Sequence, residues 1–193
     1  MTETRKVFSV YNIVLIAIFV ALITVCSWIP IPIGPIPFTL QTFAIFVTGG
    51  LLGARRGTIA VIVYILIGII GVPVFSGFGS GIAKFIPHTE TGMTGGYIVG
   101  FVFTTLIIGL FKYLSKDKID KKIKILYLAI GMLLGDIVCF VFGTIWFWQF
   151  NTIHADLMKS ISLCVLPFII PDIVKMIVAL IVVERVENTG IIK

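Results

Sequence analysis

Asp172 and Lys175 are the residues best placed to do chemistry in this chain, an acid and a base three positions apart. That spacing puts both on one face of a helix. They lie in the apolar stretch 161–183, behind Pro167 and Pro171. A proline inside a helix removes a backbone donor and disturbs the turn before it. A disturbed helix with a facing acid and base suits a ligand site inside a bundle. It equally suits an internal ion pair that ties helices together. Asp136, after Gly131 and Gly135, is a third candidate, for which helix packing is the simpler reading.

Other chemistry is hard to find. No G-x-x-x-x-G-K-[ST] run occurs, so the chain is not expected to hydrolyse ATP itself. The run Phe75-Ser76-Gly77-Phe78-Gly79-Ser80-Gly81 is glycine-rich but opens no strand–helix unit, which argues against a nucleotide. His88 and His154 stand alone, without metal-ligand spacing. Cys26, Cys139 and Cys164 all fall in apolar stretches and read as small buried hydrophobes. No catalytic residue, metal or cofactor is expected, and the chain does not read as an enzyme.

The elements that must position Asp172 and Lys175 follow from composition. The chain has 193 residues, 59% hydrophobic and only 12% charged. Its mean hydropathy is +1.15. Soluble domains run at about 45–50% apolar and about 25% charged. A soluble enzyme, a disordered segment and a disulfide scaffold are thereby excluded, and an integral membrane protein is expected. Residues 7–54, 57–83 and 91–111 contain no Asp, Glu, Lys, Arg or His. A spanning helix needs about 20 apolar residues, and no barrel-type alternation over about 10 residues appears. The expectation is an all-α membrane protein with one domain, 1–193, and six transmembrane helices. These run at about 7–29, 40–54, 57–72, 95–114, 125–150 and 161–183. The first reads as an uncleaved span rather than a signal peptide.

Four prolines within 30–37 forbid an ordinary helix there. Because the segment is apolar, it should fold back over the protein with its backbone facing protein or water. Gly49, Gly53 and Gly57, then Gly92, Gly96 and Gly100, recur every fourth residue and suit close helix approach. Ala17 and Ala21 share that spacing, with internal packing and partner contact both open.

Six helices put both termini on one side. Twelve of the 15 Lys and Arg then fall on that side, among them Arg5, Lys6, Arg55, Arg56, Lys112 and the run 116–124. Only Lys84 and Lys159 fall on the other, with Lys175 inside a helix. By the positive-inside rule the termini should be cytoplasmic. The net charge of +6 thus comes from loop placement and implies no nucleic acid.

Four motifs resemble those of the BioY family, biotin-binding S components of energy-coupling factor (ECF) transporters. The stretch from Pro35 to Thr42, Pro-Ile-Pro-Phe-Thr-Leu-Gln-Thr, is similar to that family's G-P-[IV]-P-[FI]-T-L-Q-T. Leu52-Gly53-Ala54-Arg55-Arg56-Gly57, followed by Gly71-Val72-Pro73-Val74-Phe75, resembles its L-G-x-[KR]-x-G turn. Thr94-Gly95-Gly96-Tyr97 with Gly100-Phe101 resembles P-T-G-G-Y-x-x-G-F, with Met93 in place of the proline. Pro167-Phe168 with Asp172 and Lys175 resembles P-F-x-x-x-D-x-x-K. The glycine-rich loop is longer than is usual in the family, by about 87–91.

The resemblance covers essentially the whole chain and implies high-affinity capture of biotin from outside a bacterial plasma membrane. It implies that Asp172 and Lys175 face the pocket, Asp172 toward the ureido donors and Lys175 toward the ureido oxygen or the carboxylate. It implies Thr39, Gln41, Ser76 and Tyr97 as polar or lid contacts, and Phe75 and Trp146 as apolar ones. It implies as partners a transmembrane coupling subunit and two ATPases, with Ala17 and Ala21 as the face toward the coupling subunit. Uptake would then proceed by toppling of the loaded component in the lipid. Three rivals are an S component for another small vitamin, a membrane-embedded transferase, and a structural subunit without ligand.

Overall fold

A computed structural model describes residues 9–32, 35–86, 91–150 and 155–192. Expectations placed on Arg5, Lys6, Gly34, Pro87–Glu90, His154 and Lys193 lie outside the described residues. Five helices are long and apolar enough to cross a membrane by length and composition. α1 runs Val10–Ser27, α2 Gln41–Ile69, α3 Gly95–Leu114 and α4 Lys121–Phe150. A shorter α5, Leu157–Cys164, runs into α6, Leu166–Thr189. Between α1 and α2, β1 (Ile31–Pro32) pairs antiparallel with β2 (Pro37–Phe38).

α2 is not one rod. Gly53 has φ 73° and ψ −177°, a conformation essentially confined to glycine. The chain reverses there. Gln41 Nε2 donates to Tyr64 Oη at 2.6 Å, although 23 residues of straight helix would span about 35 Å. The two limbs lie against each other, a Cβ on Gly57 falling 3.6 Å from Gly49 Cα. α3 packs against both limbs and against α4. Gly109 of α3 meets the backbone of Ala54 at the reversal, where any side chain would collide.

The expected 161–183 helix is in fact two: α5 starts earlier, at Leu157, and α6 begins only at Leu166 and ends later. Pro167 has no N–H for Leu163, so the helix breaks at Val165 (φ −119°). Phe168 N bonds Val165 O at 3.0 Å instead of reaching back four residues. At the far end α6 continues to Thr189, where Gly190 closes it at φ 65°. α4 likewise starts four residues before the expected 125, because Lys121, Lys122 and Lys124 sit in its first turn rather than in a loop.

The outer surface is apolar. Ile18, Leu66, Val141, Ile173, Ile177 and Ile181 are all exposed. Such a belt is costly in water and natural in lipid. Inside, buried hydroxyls return to their own helices: Thr24 to Val20 O, Thr48 to Ala44 O, Thr105 to Phe101 O. This satisfies polar groups where water is absent.

The bundle has two unlike ends. At one, Tyr11 Oη donates to Ile191 O at 2.7 Å, so the described parts of both termini meet there. Arg56 Nη1 reaches Asn12 Oδ1 and Lys112 Nζ reaches Gly50 O and Leu51 O at the same end. At the other end lie the β1–β2 ribbon, the glycine-rich loop and the α5–α6 break.

Candidate functional site

A cavity opens at the ribbon end, with about 660 Å³ of space counted to its mouth. Three helices each give it a stripe of side chains at helical spacing. α3 supplies Tyr97, Ile98 and Phe101, α4 supplies Asp136, Cys139 and Phe140, and α6 supplies Phe168, Asp172 and Lys175. Gln41 and Thr42 enter from the first turn of α2, and Ile36, Pro37, Thr39, Phe75 and Ser76 form the roof.

Asp172 and Lys175 form an ion pair at 2.7 Å with both side chains buried. Thr42 completes a triangle, donating to Asp172 Oδ1 at 3.1 Å and lying 2.8 Å from Lys175 Nζ. The ammonium also sits 4.0 Å from the centre of the Phe38 ring, which stabilises a desolvated cation. Asp172 Oδ2 makes no hydrogen bond among the described residues.

Asp136 differs. It is 5% exposed and lines the same cavity, yet its carboxyl has no hydrogen-bond or ion-pair partner among the described residues. A buried carboxylate without a partner is expensive. Asp136 therefore presents an open acidic group to whatever fills the cavity.

The roof is held in place by a relay of hydrogen bonds. Gln41 Nε2 donates to Tyr64 Oη, and Tyr64 Oη donates to Val74 O at 3.0 Å. Ser27 Oγ reaches the same carbonyl at 2.6 Å, and Trp28 Nε1 donates to Pro73 O at 2.8 Å. Phe75 is thereby pressed onto Gly68, edge-on to Tyr64 and Phe85. Gln41 N in turn donates to Thr39 Oγ1 at 3.2 Å, which fixes the entry into α2. Beside the roof, in the short 3-10 turn Ile82–Phe85, burial pushes the Lys84 ammonium pKa down.

Of the residues singled out in the sequence, the cavity brings together Asp172, Lys175, Thr39, Gln41, Phe75, Ser76 and Tyr97. Tyr97 Oη donates to Cys164 O at 3.1 Å, a carbonyl left free by the break at Val165. Trp146 is not in the lining. Its indole donates to Gly92 O at 2.9 Å and its ring fills the space over Gly95 and Gly96. Ala17 and Ala21 are exposed on the outer face of α1, beside Val14, Ile18 and Val25, so they do not pack inside. Thr42, Phe38 and Phe140 were missed. Thr42 and Phe38 stand in the Pro35–Thr42 motif, and a polar residue in the first turn beside Gln41 was the available signal.

No group of His, Cys, Asp and Glu able to hold a metal occurs among the described residues. The cavity offers two carboxylates, one ammonium and several aromatic walls. That set suits an amphiphilic ligand with a few polar atoms at one end.

The BioY family model matches residues 1–190. A probable biotin transporter BioY of Pyrococcus horikoshii is 38% identical over 174 residues, covering 90% of this chain and 94% of that protein. A biotin transporter BioY of Thermotoga maritima is 37% identical over 172 residues, covering 89% and 92%. A crystal structure at 2.1 Å of the S-component for biotin from an ECF-type ABC transporter superposes with a TM-score of 0.80. It is 34% identical, covering 97% of this chain and 95% of that one.

Proposed function

The chain belongs to the BioY family, and on that premise we propose that it captures biotin in the ribbon-end cavity and delivers it across the membrane. It is the biotin S component of an ECF transporter, a multi-pass protein of the plasma membrane and not an enzyme. Biotin is its cargo, and no cofactor is needed. Another small vitamin is the less favoured ligand.

The observation that carries the reading is the polar set in the cavity: two open carboxylate positions and one ammonium at one place, with aromatic walls around them. The ureido group of biotin offers two N–H donors and one carbonyl acceptor. Asp172 Oδ2 and Asp136 accept the donors, and Lys175 meets the carbonyl. Asp172 already pairs with the one ammonium, which leaves no free cation there for a carboxylate, so the valerate tail points toward the mouth. Thr39 and Ser76 face it, while Phe75, Phe101, Phe140 and Phe168 enclose the thioether ring. Tyr97 and Gln41 hold the walls, Trp146 braces the loop above them, and Ala17 and Ala21 present a small-residue face to lipid.

The reversal at Gly53 supports six crossings and puts both termini on the Lys- and Arg-rich side, which the positive-inside rule makes cytoplasmic. The cavity then opens outside. ECF module subunits are the partners, here a transmembrane coupling subunit with two ATPases, and the exposed Ala17–Ala21 face of α1 suits contact with the coupling subunit. An Ala17→Trp chain should keep biotin binding and lose uptake in cells carrying the module. Normal uptake would place that contact elsewhere.

Titration of detergent-purified protein with biotin, by calorimetry or Trp fluorescence, tests the reading. Saturable 1:1 binding that lipoate and thiamine do not compete away is expected. A folded protein that leaves biotin unbound would overturn it.

A further inference from the structure

A second concavity lies at the opposite end, where the two termini meet, with about 1840 Å³ of space counted to its open side. Its lining divides into two kinds. Leu51, Leu52, Leu110, Leu128, Leu180 and Val183 give an apolar wall. Six cations line it against two carboxylates, Glu184 and Glu187. Lys121 pairs with Glu184 and Lys112 with Glu187, each at 2.7 Å. Arg56 is engaged by Asn12. Arg55, Lys116 and Lys124 line the cleft with no carboxylate partner among the described residues.

We infer that this cleft binds the phosphate headgroup of an anionic glycerophospholipid, with the start of an acyl chain along the leucine wall. The shape of the lining decides between sources of phosphate. A free phosphate ion would use the cations and leave the apolar wall wet. A phospholipid uses both, because its phosphate and glycerol sit where the hydrocarbon ends. The cleft opens at that level, since Leu110 and Leu114 of α3 are exposed and apolar while Lys116 follows two residues later. Basic recesses between membrane helices are where acidic headgroups are held. The inference does not depend on the ligand at the other end.

Charge-matched variants of the full chain test it. Lys116→Gln with Lys124→Gln removes two cleft cations. Lys118→Gln with Lys122→Gln removes two from the same 116–124 segment, outside the cleft lining. Binding of phosphatidylglycerol to each protein in zwitterionic nanodiscs is measured by native mass spectrometry, with phosphatidylcholine and inorganic phosphate as comparisons. Circular dichroism checks that each variant is folded. The cleft pair should weaken phosphatidylglycerol binding about tenfold or more, while the other pair changes it about twofold or less. Equal losses from both pairs would mean diffuse surface charge and overturn the site. Phosphatidylcholine retained as well as phosphatidylglycerol would overturn it too. Full competition by inorganic phosphate at the same concentration would leave a free-anion site and remove the lipid.

Discussion

The two ends of the bundle handle charge in opposite ways. At the ribbon end, Asp136, Asp172 and Lys175 are each no more than 6% exposed and sit among aromatic walls. At the terminal end, six cations line an open cleft, and among the described residues Lys112 and Lys121 pair with carboxylates. The first arrangement is positioned. Its groups are desolvated, so each interaction is strong and each unpaired atom is costly. The second is redundant. Water and salt screen its charges, so no single one dominates. Specific recognition of a small molecule needs the former, and retention of a common anion needs only the latter.

The contrast is broken most directly at Lys175. Lys175→Ala should weaken biotin binding by about 100-fold or more, read by calorimetry. It also leaves Asp172 buried beside Thr42 alone, at a cost of about 3–5 kcal/mol in stability. Asp172→Asn with Lys175→Met separates the two effects. That double variant removes the stranded charge and should fold, yet still fail to bind. Wild-type affinity in it would make the pair a helix tie and nothing more.

Asp136 sharpens the contrast, because it is the positioned acidic group with no partner among the described residues. Biotin methylated on a ureido nitrogen should bind the wild type about 10-fold more weakly than biotin, the loss of one hydrogen bond. In Asp136→Ala that penalty should shrink to about 2-fold, since the acceptor is gone. An equal penalty in both proteins would place the ureido group elsewhere. A merely structural Asp136 would weaken both ligands alike.

Gly53 sits on the lining of the cleft while its two limbs run up to the cavity, so it tests whether the ends are coupled. Nothing lies within 4 Å of a Cβ there, and the cost of Gly53→Ala is purely backbone strain. About 1–3 kcal/mol of stability should be lost, seen as a lower thermal midpoint in detergent. Biotin affinity well below that midpoint should be unchanged. A large drop in affinity would mean that the cavity is set by the turn.

What the sequence made legible was local. The i,i+3 spacing of Asp172 and Lys175 survives in any helix, and the prolines before them announced the break at Val165. The reversal between α2's limbs was readable from Gly53 and the two arginines after it. Partners distant in sequence were not readable. Thr42 meets Asp172 across 130 residues, and nothing near either residue specifies the other. Trp146 shows a different limit. It lies seven residues from Cys139, on nearly the same face of α4, but about 10 Å further along the axis. Face could be read and height could not, so the ring was assigned to the cavity although it meets the 92–96 segment above it. Asp136 was given to packing for the same reason: it is halfway along α4, and only the assembled bundle brings the cavity down to it.

The smallest effect probes the redundant end. Lys116→Gln alone should reduce phosphatidylglycerol binding about 5-fold, near the value of one surface cation beside an anionic headgroup. Biotin affinity should be unaffected. The graded loss is the point of the measurement. Arg55 and Lys124 remain to hold the phosphate, and raising the salt should weaken the wild type and the variant in parallel. If this one substitution abolishes lipid binding, the cleft relies on a fixed contact as the cavity does. The two ends would then differ in the sign of their charge and no longer in how that charge is used.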